Sequence, residues 1–289
     1  MNKQTQQLIF TLIKPLLGNT YGILLLCVIG LGLYANEYIQ RDHYAYAGVP
    51  QEQHLSLQTF TRIFRNDGFM LGYSEWRKNP LWVTYHLTPI TQKKHFKRPS
   101  RFSTDIRSFV RVSHDDYRNS GYDRGHMAPN YAISNLYGKS GQHDTFLMTN
   151  ITPQYPHLNQ KLWQRLEDVE ANKFARWFQD VWVITGPVFD EHITTLKSGV
   201  EVPDAFFKIY IVPPKHANET PKVLAFLMPQ HVRGNEPLSS FVTTIDNIEQ
   251  RTGFNFMPQW DATLEHKLES SIHTRGWHLK EVSRLPSRY

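Results

Sequence analysis

Apolar segments rich in β-branched and aromatic residues lie on both sides of one long helical pattern, and this order constrains the fold more than any other feature. Leucines and aromatic residues recur at helical spacing over residues 158–178, which predicts a helix. The composition of the neighbouring apolar segments predicts strands, so we expect a single mixed domain. Strands are predicted at 69–73, 81–87, 181–185, 206–212 and 223–228, and a short helix at 243–252.

The composition fits a globular chain with basic character. Of its 289 residues, 40% are hydrophobic and 13% aromatic, which is enough to fill a sizeable core. Lysine and arginine number 32 against 26 aspartates and glutamates, a balance that favours polyanionic partners without proving one. The single cysteine, Cys27, excludes an intramolecular disulfide and a cysteine zinc site. The histidines show no HExxH or HxxxH spacing, so no zinc site is predicted.

The N-terminal part of the chain contains an uncharged apolar stretch, YGILLLCVIGLGLYA, at residues 21–35. With its flanks the stretch approaches the ~20 residues that cross a bilayer. Residues 1–40 are therefore predicted to form a membrane anchor with its N-terminus in the cytoplasm. A signal peptide cleaved near Ala35 and a buried helix of the globular domain are the alternatives. Residues 41–54 are interpreted as a linker and residues 55–289 as the folded domain.

A basic loop is predicted at residues 93–101, KKHFKRPSR, where five of the nine residues are lysine or arginine. Pro99 blocks a regular helix there. Two interpretations stay open for the loop taken alone. It is either a solvated run of charge or a phosphate-binding surface.

The most informative motif is YDRGHMAPN at residues 122–130. Asp123, Arg124 and His126 place an acid, a cation and an imidazole around a glycine that lets the backbone bend. Histidine has an ordinary pKa near neutrality, so a positioned His126 can take a proton from water at physiological pH. Arg124 offers a planar fork of donors for phosphate oxygens. The four residues DRGH are a weak signal alone, because a histidine beside a glycine is usually a turn or core residue.

A second block, TNITPQYPHLNQKLWQRLED, follows at residues 149–168. Together with DRGH and with TGPVF at 185–189, it resembles the DNA/RNA non-specific endonuclease family over about 69–256, two thirds of the chain. The resemblance implies an α+β fold with a central, mainly antiparallel sheet flanked by helices. It also implies a ββα-metal finger, in which two strands and a helix hold one hydrated Mg²⁺, with Mn²⁺ as a substitute.

The resemblance assigns roles to residues of both blocks. It implies that His126 is the general base and that Asn159 is the direct Mg²⁺ ligand, with an amide oxygen that suits a hard cation. Glu167, eight residues later, would hold metal-bound waters. Asn150 and Asp123 would support the site. Taken singly, these residues have ordinary structural interpretations, and their ordered combination favours the catalytic one.

Two arginines of the basic loop compete for one role. The family is expected to have an arginine, upstream of DRGH, that stabilises charge on phosphorus. Arg98 is favoured because its spacing to Phe102 and Asp105 is more similar to that of the family, and Arg101 stays open. Arg124, and Arg101 if Arg98 takes that role, would bind substrate phosphate. One departure from the family is Ala171, at a position where a family member has arginine.

The sequence thus predicts a membrane-anchored endonuclease that hydrolyses DNA and RNA with little sequence preference and leaves 5′-phosphates. The catalytic domain is expected on the periplasmic side of a bacterial envelope, with a secreted form or the mitochondrial inner membrane as alternatives. A catalytically inactive nucleic-acid-binding module and an envelope phosphodiesterase for small or lipid substrates are the competing functions. The oligomeric state stays open, and a homodimer is among the states to test.

Overall fold

The computed structural model describes residues 7, 11, 14–190, 192–216 and 218–287. The start of the predicted 1–40 segment lies outside these described residues. The chain divides into two compact units, Met1–His43 and Tyr44–Tyr289.

The first unit contains helix α1, Thr20–Arg41. The helix begins at Asn19, whose side chain accepts a hydrogen bond from the backbone N–H of Gly22 at 2.6 Å. Its 22 residues rise about 33 Å, which is long enough for a hydrocarbon core of about 30 Å. Most of its apolar side chains are exposed, which favours an anchor or a signal sequence over a buried core helix.

The second unit begins before the predicted domain start. Ala45 and Ala47 are buried in the core. Strand β1, Gln51–Glu52, pairs antiparallel with a strand near the C-terminus, Phe254–Asn255. The residues interpreted as a linker at 41–54 therefore include packed positions, and we propose that the folded domain begins near Tyr44.

The second unit is built on a seven-stranded sheet in which every neighbouring pair is antiparallel. The strands predicted in five segments are all present, and the predicted α+β class is confirmed. The strands are β2 Arg62–Asn66, β3 Phe69–Ser74, β4 Asn79–Leu87, β5 Asp123–His126, β6 Ile151–Gln154, β7 Val181–Val188, β8 Ala205–Val212, β9 Lys222–Pro229, β10 Val242–Thr243 and β11 Phe254–Asn255. The sheet order is β10-β9-β8-β7-β4-β3-β2, and β5 pairs with β6 separately.

Strand β7 continues through Gly186 and Pro187, where the sequence predicted that it would end. The reason is a close approach to the neighbouring strand. A Cβ atom at Gly186 would lie 2.3 Å from the carbonyl oxygen of Leu81. Gly186 therefore allows β7 to pack closely against β4 and does not form a turn.

A long helix packs across one face of the sheet. We call it the central helix, and it comprises the consecutive segments Leu158–Trp163, Gln164–Val169, Glu170–Phe174 and Ala175–Phe178. The first and third segments have π-helical hydrogen bonding, and the backbone stays helical at every junction. The predicted helix at 158–178 is confirmed. Its buried residues, which include Leu162, Leu166 and Phe174, join the core on this face.

Further helices belong to the second unit. The short helix predicted at 243–252 is confirmed as α3, Ile245–Thr252, and is followed by Gly253 in a left-handed conformation that suits glycine. A second core fills the opposite face of the sheet. The helices are α2 Asn130–Thr145, α3 Ile245–Thr252, α4 Ala262–Glu269 and α5 Leu279–Val282, with single 3-10 turns at Asp42–Tyr44, His114–Tyr117, Met148–Asn150 and Leu238–Phe241.

Candidate active site

The two sequence blocks meet in an antiparallel ribbon of β5 and β6, in which Asp123 pairs with Gln154 and His126 pairs with Ile151. The glycine of DRGH is required by packing within this ribbon. A Cβ atom at Gly125 would lie 2.0 Å from the side-chain oxygen of Gln154. The central helix follows β6 directly along the chain, so strand, strand and helix form a ββα unit.

A cleft of about 700 Å³ lies beside this unit. Its wall combines the basic loop, the end of β5, helix α2 and the start of the central helix. Five of the predicted site residues line it, whereas Asp123, Asn150 and Arg101 do not. The five are Arg98, Arg124, His126, Asn159 and Glu167.

His126 is held in an aromatic environment at the end of β5. Its ring centroid lies 5.2 Å from those of both Phe102 and Phe146. The residue as a whole is half-buried, but its Nε2 atom is fully buried and has no hydrogen-bond partner among the described residues. Burial, followed by the positive charge of Arg98, lowers the pKa of His126 to about 3. The imidazole is therefore neutral at physiological pH.

Asn159 has a fixed amide orientation in the first turn of the central helix. Its Nδ2 atom donates a hydrogen bond to Oδ2 of Asp123 at 2.9 Å. Gln160 donates to the same carboxylate oxygen at 2.8 Å. Because Asp123 holds the nitrogen side of the amide, the oxygen side is the one that can bind a cation.

Asn150 fixes the chain on both sides of the ribbon. Its Oδ1 accepts from the backbone N–H of Ala128 at 2.9 Å, and its Nδ2 donates to the carbonyls of Ala128 and Thr145, each at 3.1 Å. The indole N–H of Trp163 donates to the carbonyl of His126 at 3.3 Å. The backbone beside His126 is thus bound both to the segment before β6 and to the central helix.

The three arginines lie in different surroundings. Arg98 lines the cleft, and its guanidinium carbon lies 5.3 Å from the ring centroid of Phe146. The side chain of Arg101 is 61% exposed and pairs with Asp115 at 2.6 Å. Arg124 lines the cleft while donating two hydrogen bonds, of 3.0 and 2.6 Å, to the carbonyl of His114.

The cleft also contains polar residues that the sequence did not single out. Gln160, Gln164 and Asp168 line it from the central helix. Their spacing of four residues is a signal that could have found them, because such residues lie on one helix face. Asn130 contributes a buried Oδ1 atom with no partner among the described residues. The remaining lining residues are Lys93, Lys94, His95, Phe96, Lys97, Tyr131, Ser134, Asn135 and Gln142.

A buried polar cluster ties the central helix to the sheet. Glu170 accepts hydrogen bonds from the hydroxyls of Tyr85 and Tyr210 at 2.7 and 2.6 Å, and from Nζ of Lys208 at 2.8 Å. The side chains of Glu170 and Lys208 are completely buried. Burial and the charge of Glu170 raise the pKa of both tyrosines well above the ordinary value. Both hydroxyls therefore stay protonated and donate to the carboxylate.

The chain is similar in sequence to several known nucleases. The family described as DNA/RNA non-specific endonuclease matches residues 52–263. Human mitochondrial endonuclease G is 31% identical over 217 residues, which cover 70% of this chain and 71% of the human protein. The nuclease of Serratia marcescens is 31% identical over 212 residues, which cover 70% and 75% of the two chains. Nuclease EXOG, mitochondrial, of Mus musculus is 26% identical over 278 residues, which cover 85% and 73%.

A solved structure shows the same fold. The crystal structure of an EndoG/EndoGI complex aligns with a TM-score of 0.65 at 24% identity, covering 82% of this chain and 96% of the matched chain. The resemblance to this family, predicted from DRGH and the second block at residues 149–168, is confirmed. The chain belongs to the DNA/RNA non-specific endonuclease family.

Proposed function

We propose that this endonuclease hydrolyses DNA and RNA with Mg²⁺, shows little sequence preference and leaves 5′-phosphates, with Mn²⁺ able to substitute. One observation carries the proposal. A neutral histidine with an unpartnered Nε2 shares one cleft with an asparagine whose amide nitrogen is already bound, and with Arg98. These groups match the needs of phosphodiester hydrolysis, which are a base, a cation ligand and a stabiliser of negative charge.

His126 is assigned the role of general base. Its Nε2 takes a proton from water as the water oxygen attacks phosphorus, and the bond from phosphorus to the 3′ oxygen breaks. The 3′ oxygen leaves and takes up a proton from solvent, so phosphate stays on the 5′ oxygen. The low pKa of His126 keeps the base unprotonated before substrate binds. A bound phosphate, being negative, would raise that pKa and strengthen the base.

Asn159 and Glu167 fit a hydrated Mg²⁺. The amide oxygen of Asn159 is a hard ligand, and Mg²⁺ usually keeps several waters and takes few protein ligands. Glu167 lines the same cleft and is assigned to hold such waters. Asp123 and Asn150 are assigned supporting roles, because they hold Asn159 and the backbone that follows His126. When bound, Mg²⁺ would neutralise charge on the phosphate oxygens.

Arg98 is assigned to stabilise charge on phosphorus, in preference to Arg101. Arg98 lines the cleft, whereas Arg101 is largely exposed and already paired with Asp115. A guanidinium fork matches the oxygens of a phosphate that gains charge. Arg124 is assigned to bind substrate phosphate with the N–H groups that do not bond to His114.

The lining of the cleft also accounts for the proposed lack of sequence preference. The basic loop contributes Lys93, Lys94 and Lys97 to the wall. Contacts to phosphate position the substrate but do not read the bases. Binding is therefore expected to weaken as salt rises, because cations released from the nucleic acid no longer favour the complex.

For location, we propose that α1 anchors the chain in a membrane with the catalytic domain outside the cytoplasm, on the periplasmic side of a bacterial envelope. The length and apolar surface of α1 support this. Relatives named as mitochondrial make the mitochondrial inner membrane the alternative setting. N-terminal sequencing of the mature protein decides between an anchor, which keeps residue 1, and a signal peptide cleaved near Ala35.

The activity is tested with the full chain in detergent. We expect degradation of plasmid and of RNA with Mg²⁺ or Mn²⁺, none with chelator, and DNA products that a ligase joins without prior phosphorylation. Tight binding without cleavage would instead indicate an inactive binding module. Cleavage of a small chromogenic diester alone would indicate a phosphodiesterase for small substrates.

A further inference from the structure

A second group of chemically reactive side chains lies outside the cleft, where helices α3 and α4 pack on the opposite face of the sheet. Asp246 and Glu249 belong to α3, and Glu269 ends α4. One carboxylate oxygen from each of the three lies within 4.8 Å of the others. Three negative groups are therefore concentrated at one point.

Burial makes this arrangement costly without a counter-charge. Glu269 is 2% exposed and Glu249 is 7% exposed, while Asp246 reaches solvent. Oε1 of Glu269 is fully buried and has no hydrogen-bond partner among the described residues. Oε1 of Glu249 accepts one bond, from the backbone N–H of Phe256 at 2.8 Å. A buried carboxylate is normally bonded, paired or bound to a metal, so the Glu269 oxygen indicates a missing partner.

The electrostatics agree with this. Burial, followed by the charges of Glu249, Glu265 and Asp246, raises the pKa of Glu269 to about 9. Burial also raises the pKa of Glu249 to about 7, with Glu265 and Asp246 adding to it and the Phe256 N–H opposing it. The three carboxyl groups therefore repel one another when charged, and a divalent cation at this point would relieve that repulsion.

We propose that Asp246, Glu249 and Glu269 bind a structural divalent cation, Ca²⁺ in preference to Mg²⁺, that joins α3 to α4. Ca²⁺ binds carboxylate oxygens at about 2.4 Å, so two of its ligand atoms lie no more than about 4.8 Å apart. The observed oxygens meet this limit. Two of the three ligands are buried, which leaves little room for the waters that Mg²⁺ retains.

The site is distinct from the proposed catalytic ion in both position and role. Its ligands line no part of the cleft, and Glu249 also binds the backbone of Phe256, next to the β1–β11 ribbon. A cation here would therefore connect α3, α4 and the β1–β11 ribbon. Its loss should lower stability and leave the chemistry of phosphodiester cleavage intact.

The test uses full-length Asn159→Ala protein in detergent, so that the proposed catalytic ion does not contribute. Millimolar Ca²⁺ is expected to raise the thermal unfolding midpoint above that in chelator, because a ligand that binds only the folded state stabilises it. In the same background, Glu269→Gln is expected to weaken Ca²⁺ binding, measured by titration calorimetry, by about tenfold or more. Glu281→Gln, at an exposed glutamate, is the matched control and should bind as before.

Two results would overturn the proposal. One is an unfolding midpoint that millimolar Ca²⁺ leaves unchanged at neutral pH. The other is Ca²⁺ binding unchanged by Glu269→Gln. If Glu269→Gln fails to fold, the exposed ligand decides the question. Asp246→Asn must then weaken Ca²⁺ binding, and unchanged binding refutes the site.

Discussion

The Glu170–Lys208 pair and His126 differ in how completely their buried polar atoms are bonded. Glu170 and Lys208 are fully buried, and hydrogen bonds to each other and to two tyrosines satisfy them. His126 has a fully buried Nε2 atom with no partner among the described residues. A complete network fixes structure, whereas an unpaired buried atom costs stability and is retained where it can serve chemistry.

This contrast separates two outcomes of mutation. Removing a member of the Glu170–Lys208 cluster should cost stability and leave the chemistry intact. Removing His126 should lower the cleavage rate and cost only the packing of its ring against Phe102 and Phe146, because Nε2 has no hydrogen-bond partner among the described residues.

The largest effect is expected for His126→Ala. Loss of a general base should lower the cleavage rate by about 10²- to 10⁴-fold. The rate is measured with plasmid at saturating Mg²⁺, and folding is checked by circular dichroism. His143→Ala, at an exposed histidine of α2, is the control and should retain full rate. Full activity in His126→Ala would remove the proposed base.

A large effect on stability is expected for Lys208→Met. The substitution leaves the carboxylate of Glu170 buried without its cation, and breaking such a pair costs about 3–5 kcal/mol. The free energy of unfolding should fall by this amount in denaturant titrations, while the cleavage rate of the folded fraction stays near that of the wild type. Lys215→Met, at an exposed lysine, should leave stability unchanged. A lost rate at unchanged stability would place Lys208 in the chemistry instead.

The smallest effects are expected for two arginines of the basic loop. Arg98 lines the cleft, whereas Arg101 is exposed and paired with Asp115. Arg98→Ala should lower the rate by about 10²-fold, as removal of a group that stabilises developing charge does elsewhere. Arg101→Ala should leave both stability and rate almost unchanged, because its pair with Asp115 is exposed. Parallel rate measurements with one substrate test both. A larger loss for Arg101→Ala would reverse the assignment.

Much of the fold could be predicted because its strongest elements carry local signals. Strands β7 and β8 consist mainly of β-branched and aromatic residues, and the central helix repeats its apolar residues at helical spacing. Helix α2 was not predicted, since it is polar and Gly138 interrupts its helical backbone with φ 86°. The short strand β1 was not predicted for a different reason. Its two residues are defined by pairing with a segment some 200 positions later.

The site was predictable in composition but not in arrangement. Motif order pointed to His126, Asn159 and Glu167, and all three line one cleft. No local pattern could show that Asp123 holds the amide of Asn159, because that bond joins separate elements. The sequence also could not show which of Arg98 and Arg101 lines the cleft, because a loop has no periodicity that indicates the direction of its side chains. The acidic group of α3 and α4 exists only through tertiary packing.

The winding of the central helix has a consequence for Asn159 and Glu167. In a regular α-helix, residues eight positions apart differ in direction by about 80° around the axis. The π-helical turn at Leu158–Trp163 takes more residues per revolution, which reduces this angular offset. Both side chains can then face the cleft. The angle around the helix axis between Asn159 and Glu167 thus depends on the number of residues per turn. A regular α-helical turn at Leu158–Trp163 would rotate the two side chains away from each other.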